Sequence, residues 1–152
     1  RQMCIRDSDS LETIKNLNYF AVDENYITTA KVNVLDSSNT LSVKFLQNND
    51  TVQYTRIALL IFEINNSKHQ ITLFKDTKSE DYILPFTDST NVNKTHLTGR
   101  YLPIDFRHQE YIDLDFNMAY NPYCAYDSNY TCAVTPEENH IPIKIEAGEL
   151  RY

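Results

Sequence analysis

Residues 51–64 read Thr-Val-Gln-Tyr-Thr-Arg and then Ile-Ala-Leu-Leu-Ile-Phe-Glu-Ile. The first part alternates polar with apolar, whereas over 57–62 both faces are apolar. A stretch this rich in β-branched residues is a strand, and one apolar on both faces belongs at the centre of a sheet. The neighbouring stretches are half-buried strands. Over 26–35, Thr28, Ala30, Val32 and Val34 face one way and Thr29, Lys31 and Asn33 the other. Leu41, Val43 and Phe45 repeat that period of two, as do Ile71 and Leu73. Asp36-Ser37-Ser38-Asn39, Gln47-Asn48-Asn49-Asp50 and Asn65-Asn66-Ser67-Lys68 are the turns between them.

The second half of the chain is more broken. Residues 82–86 carry Pro85, which predicts an edge strand or a connection, and 87–99 read as a polar loop. Residues 111–117 place Ile112, Leu114 and Phe116 on one face and Asp113, Asp115 and Asn117 on the other. After a long loop over 118–139, Ile141, Ile143 and Ile145 make a last strand, which Pro142 and Glu146 assign to an edge. Helix is confined to 10–16, with Ser10 as N-cap, and to a short turn near Met118. The predicted fold is an all-β antiparallel sandwich or open barrel with a short N-terminal helical segment.

At 152 residues the chain makes one domain, long enough to bury roughly 68–70% of its unfolded surface. Arg-Gln-Met-Cys-Ile-Arg-Asp at 1–7 reads as translated sequencing-adaptor sequence of the kind found at the ends of metagenomic protein predictions. The β-rich domain is then 8–152, and a targeting segment or lipid anchor ahead of it could have been lost. A net charge of −7 with no basic cluster argues against nucleic acid. The longest wholly apolar run, 57–62, is too short to span a bilayer.

Reactive groups concentrate in 113–132, which hold two of the three cysteines and four of the eleven tyrosines. Cys124 and Cys132 have seven residues between them, unlike the Cys-x-x-Cys of zinc ribbons and thioredoxin-like sites. A disulfide between them closes a small loop worth roughly 2.5 kcal/mol by chain entropy. The alternatives are a catalytic or redox cysteine, or a metal site, for which His140 is the only histidine nearby in sequence. Pro122 restricts the loop, so the two cysteines are expected to lie close whatever their redox state. Asp113, Asp115 and Asn117 could supply an acid and base pair, or could be solvated and turn-forming groups. Arg100, behind Gly99, could clamp a carboxylate or phosphate, or pair internally with Asp115 or Glu146. No Gly-rich phosphate loop, nucleophile elbow or His-Glu-x-x-His motif occurs, so no cofactor and no metal is expected. His69, His96, His108 and His140 read as surface residues.

Several stretches together resemble a known family. They are Leu-Asn-Tyr-Phe-Ala-Val-Asp at 17–23, Leu-Pro-Phe-Thr-Asp at 84–88 and Gly-Arg-Tyr-Leu at 99–102. With them go Asp-Phe-Asn-Met-Ala-Tyr-Asn-Pro-Tyr-Cys-Ala-Tyr at 115–126, then Cys132, Glu138-Asn139 and Glu-Ala-Gly-Glu at 146–149. The chain is similar to domain-of-unknown-function family 1684 over nearly all of 8–152. It departs from the family at Ala133-Val134-Thr135-Pro136, where relatives carry a proline-rich run, and at Leu97-Thr98, where they carry glycines. The resemblance implies bacterial origin and a location in the cytoplasm or, as a lipoprotein-like protein, the cell envelope. It implies no particular activity.

These readings converge on a module that binds a small polar or anionic ligand, or that is purely structural. Its site is expected where Arg100 meets the 115–132 loop, with Arg100, Asp115, Asn117, Tyr120, Asn121 and Tyr126 as ligand-binding residues. The alternative is a small hydrolase or thiol-dependent enzyme using Cys124, Asp115, Tyr120 and Arg100. No oligomeric state follows from the sequence.

Overall fold

The structure, a computed structural model, describes residues 18–36, 39–91 and 93–152. The adaptor-like segment and the helical turn expected at 10–16 lie outside the described residues. The strands are β1 (Ile27–Val34), β2 (Thr40–Lys44), β3 (Thr51–Ile64), β4 (Ser67–Asp76), β5 (Tyr82–Asp88), β6 (Arg100–Leu102), β7 (Tyr111–Asp115) and β8 (His140–Ile141). They form one eight-stranded sheet in the order β6-β5-β4-β3-β1-β7, with β2 also on β3 and β8 on β5. The sheet curls into a half-barrel, the open-barrel form of the expectation. Pairing is antiparallel except between β5 and β8. The only helix among the described residues is four short 3-10 turns, one of them at Phe116–Met118.

β3 is the spine. β2 pairs with its first half and β1 with its second, along the same edge, while β4 pairs on the other edge from Tyr54 to Ile64. Where β3 passes from β2 to β1 it carries a bulge: Arg56 pairs with Phe74, but Ala58 pairs with Leu73. Consecutive residues of β4 point to opposite faces, so the extra residue Ile57 switches the face that β3 buries. Tyr54 therefore packs with Phe74, Val43, Ile83 and Ala133, while Ala58, Leu60, Phe62 and Ile64 join the larger core. That core also takes Ile141 of β8, and Ile145 and Ala147, which follow β8 outside any named strand. The expected last strand is thus regular only at His140–Ile141. Phe116 sits edge-on to Phe86, with ring centroids 5.2 Å apart, and 5.7 Å from Phe62.

The β3–β4 hairpin turns on Asn65 and Asn66, with φ of 52° and 64°, and Ile64 faces Ser67 across them. Positive φ at both central residues is the requirement of a type I′ turn, which Asn meets at lower cost than most residues. This hairpin needs no glycine.

β5 corrects the expectation of an edge. It lies between β4 and β6 and carries β8 as well. It pairs with β4 only at Phe74–Ile83 and Lys75–Tyr82. Further along, the Asn139 side chain fills the gap between the two backbones. Its Oδ1 accepts from Thr72 N, and its Nδ2 donates to Thr72 O and Pro85 O, each at 2.8 Å. Proline has no N–H to offer β4, so a side-chain donor to its carbonyl lets it sit inside the sheet.

Asn139→Ala would strand three buried backbone groups at once. The expected cost is about 3 kcal/mol or more, seen as a lower urea midpoint with an unchanged slope. An unchanged midpoint would mean that water substitutes for the amide.

Candidate functional site

Arg100 opens β6 and is fully buried. Its guanidinium donates to the carbonyl of Ala147, to Glu149 O at 3.3 Å and to Ile145 O at 3.1 Å. Asp88 Oδ1 lies 3.5 Å from Nη2, and the Phe86 ring lies below, 5.0 Å from the guanidinium carbon. Burial pushes the Arg100 pKa down, and the charges of Asp88 and Glu149 oppose that shift. Asp88 is itself held: Oδ2 accepts from Thr90 N, Thr90 Oγ1 and Ile145 N. The chain has only two glycines, and both shape this site. Gly99, at φ 106°, has Thr135 Oγ1 and Phe86 O where a Cβ would go. Gly148, at φ 80°, lies between two of the carbonyls that Arg100 grips and has Ala119 and Phe116 O in the same position.

The other expected site residues fall into three groups. Asn121 and Tyr126 join the C-terminal segment beside Arg100. Asn121 N donates to Glu149 Oε2 at 2.5 Å, and its Nδ2 donates to Tyr126 Oη and Leu150 O, both at 2.9 Å. Burial, then the Glu149 charge, raises the Tyr126 pKa. Asp115 and Asn117 instead secure the end of β7. Asp115 caps the 3-10 turn by accepting from Asn117 N and Nδ2, and Asn117 bonds both backbone groups of Asp23. Tyr120 pairs its backbone with Tyr101 and stacks on its ring at 5.9 Å. The guanidinium of Arg100 makes its contacts with Asp88 and residues 145–149, and neither Asp115 nor Glu146 is its partner.

Cys124 and Cys132 form a disulfide with Cα atoms 5.5 Å apart. Inside the loop Tyr123 and Tyr130 stack at 5.1 Å. The loop is tied to the end of β2, since Leu46 N donates to Cys132 O and Cys132 N donates to Gln47 Oε1, each at 2.8 Å. Beside the disulfide is a pocket of about 260 Å³, lined among others by Gln47, His96, Cys124, Cys132 and Arg151. His96 Nε2 is 4.0 Å from Cys132 Sγ. On its other side, Nδ1 meets Thr98 N at 3.3 Å and Thr98 Oγ1 at 3.0 Å. Burial, then the charge of Arg151, lowers the His96 pKa, so the ring is neutral near pH 7. Cys132 is buried, whereas Cys124 is partly exposed.

A family model described as "Protein of unknown function (DUF1684)" matches residues 12–150. The chain belongs to the DUF1684 family. It is also similar to an uncharacterized protein from gene locus rrnAC0354 of Haloarcula marismortui, whose structure was solved by solution NMR. The two share 30% identity and a TM-score of 0.69, covering 95% of this chain and 80% of the other. No curated protein matches.

In this DUF1684 domain the two foci differ in chemical capacity. At Arg100 the charged groups are buried and directed at one another and at backbone. At the disulfide, a polarisable sulfur pair, a neutral imidazole and a guanidinium border open space. The ligand atoms of His96, Cys124 and Cys132 lie within 4.8 Å of one another, a grouping that could hold a metal if the cysteines were reduced. Sequence reasoning missed His96, Arg151, Asp88 and Glu149. The histidine nearest in sequence, His140, bonds Thr87 Oγ1 instead, at 2.9 Å. No spacing signal pointed to His96, because the fold alone brings it to the cysteines.

Two outcomes follow. Arg100→Met should destabilise the domain by about 3–5 kcal/mol, measured by urea unfolding, because it leaves the Asp88 carboxylate buried without its cation. A variant as stable as the parent would remove Arg100 from this structural role. For His96, a folded pKa below the unfolded 6.5 means that the unfolded chain binds more protons as pH falls through this window. Stability contributed by His96 is therefore full above about pH 6.5 and declines as pH drops toward the folded pKa. NMR titration of the His96 ring, with His96→Gln as control, should give a midpoint below 6.5 and a flatter stability profile in the variant.

Proposed function

We propose that this DUF1684 domain is a binding module for a small anionic or polar ligand, received in the pocket beside the Cys124–Cys132 disulfide. The observation that carries the reading is the charge of the lining. Arg151 and His96 border the pocket and, among the described residues, no acidic side chain does, in a chain of net charge −7. Gln47 adds an amide, and Tyr152 and Leu46 add apolar wall. A few convergent polar groups on a partly apolar wall are the usual make-up of a small-molecule site. At about 260 Å³ the pocket is below the drug-sized range and suits a compact metabolite. The larger groove between Leu41–Lys44 and Val134–Glu138, about 540 Å³, has a mostly apolar surface, and its charged lining, Lys44 with Glu137 and Glu138, does not favour an anion.

The reading keeps the cysteine loop and moves away from Arg100. A fully buried guanidinium is not available to a ligand without local unfolding. Asp115, Asn117, Asn121 and Tyr126 support the loop through backbone and side-chain bonds, which is a positioning role. If the cysteine pair reacts, the titratable side chain beside it is His96, which faces Cys132, rather than Asp115, Tyr120 or Arg100.

Amide shifts on titration with inorganic phosphate and with S-methylglutathione, an acidic tripeptide thioether, test the proposal. Saturable shifts grouped at residues 46–47, 96–97, 124–125 and 151–152, and reduced at least several-fold in affinity by Arg151→Ala, are expected. The absence of saturable shifts with either probe would leave a purely structural module.

A further inference from the structure

We infer that the Cys124–Cys132 pair is a thiol–disulfide exchange site, with Cys124 the sulfur attacked and Cys132 the leaving thiolate stabilised by His96. The inference rests on the pocket proposed above and makes a thiol the ligand that reacts there.

The two sulfurs are not equivalent. Both cysteines border the pocket, but Cys124 is partly exposed whereas Cys132 is 1% exposed. A small thiol therefore meets the Cys124 sulfur more readily than the other. The surroundings of the buried sulfur suit a departing anion. Thr98 N donates to His96 Nδ1. In a neutral ring this places the proton on Nε2, the nitrogen 4.0 Å from Cys132 Sγ. Charge gained by the sulfur would shorten that long contact and strengthen it. A thiol whose anion is stabilised in this way has a lower pKa and leaves faster. Arg151, on the same pocket, adds positive potential. Cys132 is also fastened independently of the disulfide, through Gln47 Oε1 and Leu46 N. Breaking the bond need not release the loop.

The step balances as follows. A thiolate attacks Cys124 Sγ, and its electron pair forms the new S–S bond. The electron pair of the old bond leaves on Cys132 Sγ. A second thiolate then attacks the donor sulfur of the mixed disulfide and releases Cys124. Two donor thiols become one disulfide, and two electrons and two protons pass to the cysteine pair. The donor class is a small acidic thiol, for which glutathione is the probe.

The experiment is equilibration of the domain in glutathione redox buffers, with thiol alkylation and mass spectrometry. Reduction is expected at a potential above about −300 mV, where structural disulfides normally resist glutathione. Trapped glutathione should sit on Cys124. His96→Gln, kept folded, should slow reduction at neutral pH by roughly threefold to tenfold and raise the Cys132 thiolate pKa, followed by absorbance at 240 nm. A potential below about −300 mV, an adduct on Cys132, or an unchanged rate and thiolate pKa in a folded His96→Gln would overturn the inference. If that variant does not fold, the potential and the adduct site in the parent decide. Uptake of Co²⁺ by the reduced protein with a thiolate charge-transfer band, and no turnover of glutathione, would make it a metal centre instead. S-methylglutathione separates the two proposals. Its binding without reduction by glutathione defeats exchange and leaves the pocket standing. Reduction without its binding defeats the pocket.

Discussion

A guanidinium without access to water must be surrounded by acceptors, because leaving it uncompensated costs several kcal/mol. Arg100 imposes that condition on this fold. Its acceptors are an acid at the end of β5 and three carbonyls from a segment that lies outside the named strands and, among the described residues, is bridged only at Glu149, to Tyr19. The segment carries Ile145 and Ala147 into the core of the half-barrel, so the polar pin and the apolar packing hold the same residues. Neither suffices alone: irregular backbone would be costly to bury without a donor for its carbonyls. The placement of both glycines follows, since each permits a backbone approach that a side chain would block.

The second constraint is the bulge in β3. A strand of this length without a break would present one buried face throughout. The extra residue lets a single strand serve two clusters on opposite faces, the larger inside the half-barrel and the smaller around Tyr54 and Phe74. The smaller cluster includes Ala133, next to Cys132. The cysteine loop is thereby seated on the sheet by packing as well as by its bonds to Leu46 and Gln47.

What was legible in the sequence were the features with a local signature. The period of two located β1 and β3, and the turn residues located the hairpins. The proximity of the cysteines followed from a short loop restrained by proline. The bulge was not legible, because Tyr54 and Leu60 share parity and the change of face depends on the register with β4. Pro85 was misleading because the compensating donor, Asn139, comes more than fifty residues later. For Arg100 the sequence pointed to a ligand anion or to a carboxylate partner, Asp115 or Glu146. Most of its acceptors are main-chain carbonyls, which leave no trace in residue identity. His96 lay in a polar loop 36 residues from Cys132, and only the folded chain makes them neighbours.

The Arg100 arrangement also has a temporal side. The carbonyl of Ile145 is 45 positions further along the chain than the guanidinium it accepts from. At about 5–20 residues per second, synthesis separates the two by roughly 2–9 s. β1 to β5 can pair during that interval, but the arginine emerges before its carbonyl acceptors exist. Until then, a dry closure around Arg100 would leave its charge without most of its acceptors, at a cost of several kcal/mol.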